Sequence, residues 1–179
     1  FQRDGRADYW ELVTHFTRLP EFLSIVDAEV VSAAPTGYFD FPAVCLTDAP
    51  VKYGDEFRTR YGAYGVTFRK GDVIRAGGGP ALYMSDACIQ AQMDGGDFCA
   101  TIKPFVNVLR LPSQATSRFN SKKVDFLHER EWRVPGDPKF DIVAPVGIVL
   151  PRGTDAERFA GETGQRLLDV AMRYGELRS

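Results

Sequence analysis

The chain has 179 residues, 44% of them hydrophobic, and a formal net charge of −2 at pH 7. That size and apolar content suit one domain with one core, so we expect residues 1–179 to form a single domain. The small net charge excludes the global basic field that draws proteins non-specifically onto nucleic acid or anionic membrane, so any nucleic acid would have to be bound by a local patch.

Cysteine and histidine usage argues against a metal site and a disulfide framework. The three cysteines, Cys45, Cys88 and Cys99, are odd in number and far apart, and the chain has only two histidines. No apolar run approaches the roughly 20 residues of a transmembrane helix, and no leader-like segment opens the chain. We therefore expect no metal, no membrane contact and a cytoplasmic location.

The first half of the chain predicts short strands with one clear helix. DYWELVTHFT, residues 8–17, reads as a strand that carries His15 near its end. A helix follows from Pro20, because proline is tolerated in a first turn and apolar residues repeat at helical spacing in PEFLSIVDAE. Further strands are predicted at 43–46, 66–69 and 81–84, with a glycine-rich loop at 77–79.

The second half predicts a helix near 88–93 and a segment, PFVNVLRLP, that fits either a strand or a helix. FDIVAPVGIVLP, residues 140–151, reads as a pair of strands. A last helix is expected over 155–174, because Thr154 and Glu157 have the spacing of a capping box. Together these elements predict an α+β domain with the Pro20 helix and the C-terminal helix packed outside the sheet.

The segment HEREWR, residues 128–133, is the most informative for chemistry. If its backbone is extended, Glu129 and Glu131 point to the same side. Two carboxylates on one buried face are costly unless Arg130, Arg133 or a substrate cation compensates them. The alternative is a solvated edge strand whose Glu and Arg side chains pair with each other, and strand register decides which glutamate faces inward.

The order of His15, Tyr83 and Glu131 along the chain adds to the evidence for a functional site. A histidine in an apolar strand, such as His15, is more often a hydrogen-bonded core residue than a catalytic one, and Tyr83 alone would be a core aromatic. A histidine strand, a tyrosine strand and a late glutamate strand, in that order, suit an NAD-binding transferase cleft.

Five segments carry a family resemblance, and together they span roughly residues 10–150: HFT, CLTDAP, YGAYGVTF, GGGPALY and FLHEREWRVPGD. In this order they resemble the ADP-ribosyltransferase superfamily, and within it the small bacterial toxin and abortive-infection members of DarT-like or AbiGi-like type. The resemblance implies an α+β fold with a split antiparallel β-sheet core and flanking helices around an NAD cleft.

The resemblance also implies roles, with NAD as a substrate. His15 would hydrogen-bond the adenosine-side ribose, with Phe16 and Thr17 beside it, and Tyr83 would stack on the nicotinamide. Glu131 would be the catalytic carboxylate on the nicotinamide ribose, stabilising the charge that develops as nicotinamide leaves. Glu129 would orient the acceptor. The neighbours that compete with Tyr83 for its role are Tyr61, Tyr64 and Ser85.

A basic and aromatic stretch suggests the acceptor; its members are Arg58, Arg60, Arg69, Lys70 and Arg75, with Tyr53, Tyr61 and Tyr64 between them. Such a stretch suits binding of a phosphate backbone, with bases stacked on the tyrosines. One of its arginines could instead bind the NAD pyrophosphate. Equally, the stretch could be a solvated face with no binding role. Similarity to DarT-type toxins, which modify a DNA base, implies a nucleic acid acceptor. An enzyme of this kind that modified a host component would be toxic, so we expect either a cognate antitoxin protein or tightly conditional activation in phage defence.

Three other functions stay open on the sequence. The same site would serve transfer of ADP-ribose to a protein, or NAD hydrolysis with water as the acceptor. A non-catalytic interaction module with the same fold would bind no NAD. A hydrolase based on zinc or a serine nucleophile is disfavoured, because neither G-x-S-x-G nor H-E-x-x-H occurs.

Overall fold

The computed structural model describes residues 11–48, 59–96, 99–109, 130–151, 162–174 and 176–177, with the backbone alone at 162–164 and 176–177. Within these ranges the chain combines helices with a mostly antiparallel sheet, which confirms the predicted α+β class. None of the helices in these ranges is both long and apolar enough to cross a membrane.

Ten strands and four helices follow one another in the described ranges. The strands are β1 (Leu12–Thr17), β2 (Ala34–Thr36), β3 (Phe41–Thr47), β4 (Tyr64–Arg69), β5 (Gly79–Pro80), β6 (Leu82–Met84), β7 (Val106–Val108), β8 (Glu131–Pro135), β9 (Pro145–Val149) and β10 (Glu176–Leu177). The helices are α1 (Leu19–Ala28), α2 (Lys70–Arg75), α3 (Asp86–Asp94) and α4 (Glu162–Tyr174), and a 3₁₀ turn covers Lys103–Phe105.

The main sheet has eight strands in the order β10-β9-β4-β1-β3-β8-β5, with β2 also paired to β3. Its pairings are antiparallel except β9 with β10. Since β8 pairs along residues 43–47 of β3, β1 and β2 share the other edge of that strand. There β1 meets β3 at the single pair Thr14–Thr47, whereas it follows β4 over six pairs. The sheet is therefore open between β1 and β3 beyond Thr14.

Strand alternation gives the sheet two different faces. Val13, Val44, Val66 and Val134 all lie in the main hydrophobic core on one face. The same core receives α1 through Phe22 and α4 through residues 167 and 170, which confirms that both predicted helices pack on the sheet. The other face, here called the polar face, carries the alternate residues of β1, β3, β4 and β8, among them Thr14, Thr47, Thr67, Glu131 and Arg133.

Helix α1 begins where the sequence predicts. Pro20 lies in its first turn, and Phe22 N–H donates to the carbonyl of Arg18 at 2.8 Å. The helix ends at Glu29, which adopts a left-handed conformation with φ of 53°. Phe22 is fully buried, and its ring lies 5.6 Å from that of Tyr64. This helix thus closes the core over β4.

A two-stranded parallel ribbon, β6 with β7, covers part of the polar face near β8. The predicted strand at 81–84 belongs to this ribbon and not to the main sheet. In the ambiguous segment PFVNVLRLP, residues 104–105 end the 3₁₀ turn and residues 106–108 form β7, while its last three residues lie outside the described ranges. The predicted helix near 88–93 is present as α3, where Ser85 Oγ accepts from Cys88 N–H at 3.2 Å.

Two local predictions are wrong. The segment 140–151 contains one strand, not two, because residues 139–143 form a turn in which Val143 N–H donates to the carbonyl of Lys139. That turn still buries apolar surface, since the Phe140 ring packs edge-on against Phe68 and Tyr174 at 6.1 Å. The predicted loop at 77–79 ends in a strand, because Gly79 pairs with Arg133 as part of β5.

The prediction for the glutamates of HEREWR assumes an extended backbone through Arg130. That residue has a φ of +48°, in the left-handed region, and regular strand pairing begins at Glu131. Glu129 itself lies outside the described residues, as does the predicted capping box at Thr154 and Glu157.

Candidate functional site

The candidate site centres on the carboxylate of Glu131, the first residue of β8. Its side chain is 10% exposed and accepts four hydrogen bonds. Arg133 donates two of them, from Nε to Oε1 at 2.9 Å and from Nη2 to Oε2 at 3.1 Å. Tyr83 Oη and Asn107 Nδ2 donate the other two to Oε2, at 3.1 and 3.3 Å. The carboxylate is thus held in one orientation.

Arg133 is the buried cation that compensates the charge of the Glu131 carboxylate. Its side chain is fully buried, and residues two apart on a strand share a face, so its guanidinium lies beside Glu131. Nη1 also donates to the carbonyls of Pro104 and Val106, at 3.0 and 3.1 Å. Gly37 makes room for it, because a Cβ there would lie 2.2 Å from Nη1. The charge of Glu131 is therefore balanced inside the protein.

The β6–β7 ribbon places the two neutral donors. Tyr83 and Asn107 are directly paired in register, so their side chains leave the ribbon side by side toward Glu131. Burial, followed by the charge and the hydrogen bond of Glu131, raises the pKa of Tyr83 far above its ordinary value. Tyr83 therefore stays protonated and acts as a hydrogen-bond donor.

A row of threonines leads across the sheet to Glu131. Thr67, Thr14 and Thr47 lie opposite one another on β4, β1 and β3, and Thr47 lies opposite Glu131. All three are buried, and the hydroxyls of Thr14 and Thr67 are 3.0 Å apart. The polar face beside the carboxylate is thus lined with hydroxyl groups.

Cys45 lies two residues before Thr47 on β3, opposite Arg133. Its sulfur is 3.3 Å from the hydroxyl of Thr36. Burial raises the pKa of the thiol to about 12, and the nearby charge of Glu131 adds to the increase. The group is therefore a protonated, poorly reactive thiol and not a nucleophile.

Alkylation should separate this thiol from the other two. Cys88 and Cys99 are exposed, whereas at pH 8 a thiol with a pKa of about 12 is thiolate in only about one molecule in ten thousand. We expect iodoacetamide at pH 8 to modify Cys88 and Cys99 in the native protein and to leave Cys45 intact, as read by peptide mass spectrometry. Denaturant should make all three equally reactive. Equal reactivity in the native protein would contradict the buried site.

His15 enters the opening between β1 and β3. Its Nδ1 is 2.9 Å from the carbonyl oxygen of Cys45, so Nδ1 carries the proton and donates. Burial lowers the pKa of His15 below its ordinary value of 6.5, against the opposing effect of that hydrogen bond. The ring is therefore neutral with Nε2 as an acceptor. Because the unfolded chain binds this proton more readily, stability should decrease as the pH falls below about 6.5.

Tyr61 stands at the end of β1 and reaches toward Glu131. Gly62 has a φ of +122°, and a Cβ there would lie 2.1 Å from the carbonyl oxygen of Thr17, so the chain passes close against β1. Tyr61 is 41% exposed to solvent, and the guanidinium carbon of Arg60 lies 5.3 Å from the centroid of its ring. Burial of its hydroxyl raises its pKa to about 12; the charge of Arg60 opposes this increase, and the charges of Glu131 and Cys45 add to it.

No protein-family model, curated protein or solved structure matches this chain.

Of the residues predicted for the site, the structure brings Glu131, Tyr83 and Tyr61 together. His15 approaches this group through the backbone of Cys45, since on β1 it alternates with Thr14, which faces the Glu131 side. Phe16 and Thr17 are buried at the end of the same strand. Glu129 and Arg58 lie outside the described residues.

Other predicted residues lie elsewhere. Tyr64 is on the core face against Phe22, away from the polar face. Lys70 is paired with Asp48, with 2.7 Å between Nζ and Oδ2, and Arg75 is paired with Asp72. Both cations therefore form ion pairs within the protein, Lys70 with a nearly buried carboxylate and Arg75 at the surface.

Several site residues were missed by sequence reasoning. Asn107 lies in a segment whose secondary structure was ambiguous, and nothing local indicates that it contacts Glu131, 24 positions later. Thr14 and Thr47 were recognisable only as strand residues next to the HFT and TDAP segments. Arg133 was considered as compensation for Glu131, but its complete burial depends on the packing of β7 and the 3₁₀ turn.

Proposed function

We propose that this chain is an NAD-dependent mono-ADP-ribosyltransferase whose site lies around Glu131, at the opening of the sheet between β1 and β3. The observation that carries the proposal is the orientation of the Glu131 carboxylate by four hydrogen bonds, beside a buried row of hydroxyls and a protonated tyrosine. A fixed acceptor of this kind suits a sugar hydroxyl.

The proposed split-sheet fold is supported by the pairing of β1. This strand leaves β3 after Thr14, and β3 lies between the strands that carry His15 and Glu131. On that middle strand the residue opposite Glu131 is Thr47. Thr47 therefore lies beside Glu131 on the neighbouring strand, while Tyr83 contacts the carboxylate from the ribbon.

The described side chains fit the chemistry of NAD. Its ribose hydroxyls need acceptors, which Glu131 and the unprotonated Nε2 of His15 supply. Its aromatic rings need a flat partner, which the exposed ring of Tyr61 supplies, and its pyrophosphate needs a cation such as Arg60.

In the reaction, the bond between the nicotinamide nitrogen and ribose C1′ breaks, and its electron pair leaves with nicotinamide. The acceptor then forms a bond to C1′ and loses a proton. Because Arg133 balances the charge of Glu131, we assign Glu131 chiefly to holding a ribose hydroxyl in one position, with a smaller electrostatic contribution to the developing cation. Tyr83 and Asn107 keep its carboxylate from rotating.

We propose a nucleic acid base as the acceptor. The support is the resemblance of the sequence to DarT-type toxins, together with the exposed position of Arg69 at the end of β4, a cation that suits a phosphate backbone. Toxicity, and hence a cognate antitoxin, follows from this proposal.

Acceptor dependence tests the transferase proposal. Nicotinamide release from NAD should be slow with the purified protein alone and should accelerate with DNA, RNA or lysate protein, and the component that accelerates it names the acceptor class. Label from NAD should become covalently attached to that component. Equal release with and without every acceptor would replace the transferase proposal by NAD hydrolysis at the same site.

Two substitutions of His15 separate binding from structure. In His15→Asn the amide nitrogen occupies nearly the position of Nδ1 and can still donate to the Cys45 carbonyl, but the acceptor Nε2 is lost. We expect stability within about 1 kcal/mol of wild type and nicotinamide release reduced at least about tenfold. His15→Leu should lose both stability and release. Full release by His15→Asn would limit His15 to a structural role.

A further inference from the structure

Arg130, the residue before Glu131, has a backbone conformation that residues with a side chain rarely adopt. Its φ is +48°, in the left-handed region. The peptide of Arg130 therefore turns immediately before β8 begins at Glu131. A strained residue persists only where its surroundings hold it, so its neighbours should show what holds this turn.

Asp48 contacts Arg130 at both its backbone and its side chain. Asp48 N–H donates to the carbonyl of Arg130 at 3.3 Å. The Asp48 carboxylate lies 2.6 Å from Arg130 Nε through Oδ1, and Oδ2 accepts from Nη2 at 3.1 Å. The Asp48 side chain is 8% exposed, and it follows Thr47, the residue opposite Glu131.

Lys70 fixes the carboxylate from the other side. Its Nζ donates to Asp48 Oδ2 at 2.7 Å and lies 5.2 Å from the ring centroid of Trp132, the residue after Glu131. Its backbone N–H donates to the carbonyl of Glu11 at 2.6 Å, which ties it to the start of β1. Contacts therefore connect β1, β3 and β4 to the residues on both sides of Glu131.

We infer that Asp48 is a positioning residue, which holds Arg130 in its left-handed conformation and thereby sets the orientation of Glu131; this rests on the proposed function of Glu131. The register at this end of β8 decides which face Glu131 occupies, because a shift of one residue would move its side chain to the core face. Asp48, Lys70 and Arg130 hold that register at the last pair, Thr47 with Glu131.

Three variants test this inference: Asp48→Asn, Arg130→Ala and Arg130→Gly. Both Arg130 variants lose the ion pair with Asp48, but only glycine adopts a φ of +48° without strain. If the left-handed conformation at this position is what matters, Arg130→Gly should keep more activity and slower amide exchange than Arg130→Ala. This is the opposite of the usual order, because glycine ordinarily destabilises a strand.

The readouts are kcat and KM for nicotinamide release, and amide hydrogen exchange of residues 130–135. We expect kcat to fall about ten- to hundredfold in Asp48→Asn and Arg130→Ala, with a smaller change in KM, since a small displacement of a reacting group has effects of that size. Exchange of residues 130–135 should accelerate in the same two variants. Arg130→Gly should stay within about threefold of wild type in both readouts.

Equal impairment of Arg130→Gly and Arg130→Ala would overturn the inference, because it would show that only the lost ion pair matters. Wild-type exchange in Asp48→Asn would overturn it as well. If the wild-type protein releases no nicotinamide at all, the proposed function fails, and the exchange of residues 130–135 alone decides whether Asp48 holds this turn.

Discussion

Replacing Arg133 by methionine is expected to lower the free energy of unfolding by about 3–5 kcal/mol, the usual cost of removing one partner from a buried ion pair. Arg133 is fully buried, and its loss would leave the carboxylate of Glu131 without its countercharge. The carbonyls of Pro104 and Val106 would lose a donor at the same time. Since domains of this size are stable by only about 5–15 kcal/mol, the variant should lose a large part of its stability.

Urea unfolding followed by circular dichroism measures this difference, with Arg69→Met as the matched control. Arg69 is exposed at the end of β4, so its substitution should change stability by less than about 0.5 kcal/mol. A loss in Arg133→Met no larger than in Arg69→Met would mean that the buried pair with Glu131 does not organise this part of the protein.

Substituting Glu131 by glutamine is expected to reduce the rate of nicotinamide release at least about 100-fold, a loss typical of removing one group that stabilises a transition state. The amide has one acceptor oxygen, and its NH₂ group would face donors from Arg133 or from Tyr83 and Asn107. The carboxylate therefore cannot be replaced by its isostere in this network. The measurement is release of nicotinamide under single-turnover conditions.

Stability must be separated from activity in this variant, because glutamine also leaves Arg133 without its countercharge. Two further variants do this. Tyr83→Phe keeps the ion pair and removes one donor, so it should fold normally and lose part of the activity. Glu21→Gln, exposed in the first turn of α1, should retain full activity. If Glu131→Gln loses nicotinamide release only under conditions in which circular dichroism shows that the variant is unfolded, Glu131 has no direct role in the reaction.

Much of the fold follows from local sequence pattern. Hydrophobic periodicity and the positions of turn and capping residues predicted four of the elements. These are the strand ending in HFT, the helix at Pro20, the helix near 88–93 and the strand through Trp132 and Val134. The turn around Phe140 was not predicted, because an apolar segment buries its side chains equally well from a turn that packs on Phe68. Hydrophobic periodicity indicates which side chains are buried, but the same side chains can be buried from a strand or from a turn.

The site was predictable only in part. Glu131 was preferred over Glu129 because strand residues follow it, and it does face a polar, buried network. The partners of that network come from β6, β7 and the 3₁₀ turn, and these contacts span up to 48 positions in the chain. Local sequence carries no record of such pairings. The left-handed Arg130 was likewise invisible, since arginine has no preference for that conformation.

Calorimetric titration of the wild-type protein with NAD tests the central claim most directly. The account predicts saturable binding at one site per chain, weakened by substitution of Tyr61, whose exposed ring stands beside Arg60 at the end of β1, and unchanged in Glu21→Gln. Absence of binding heat at any NAD concentration, with no nicotinamide released, would contradict the claim and leave the Glu131 network as the structural centre of a non-catalytic interaction module.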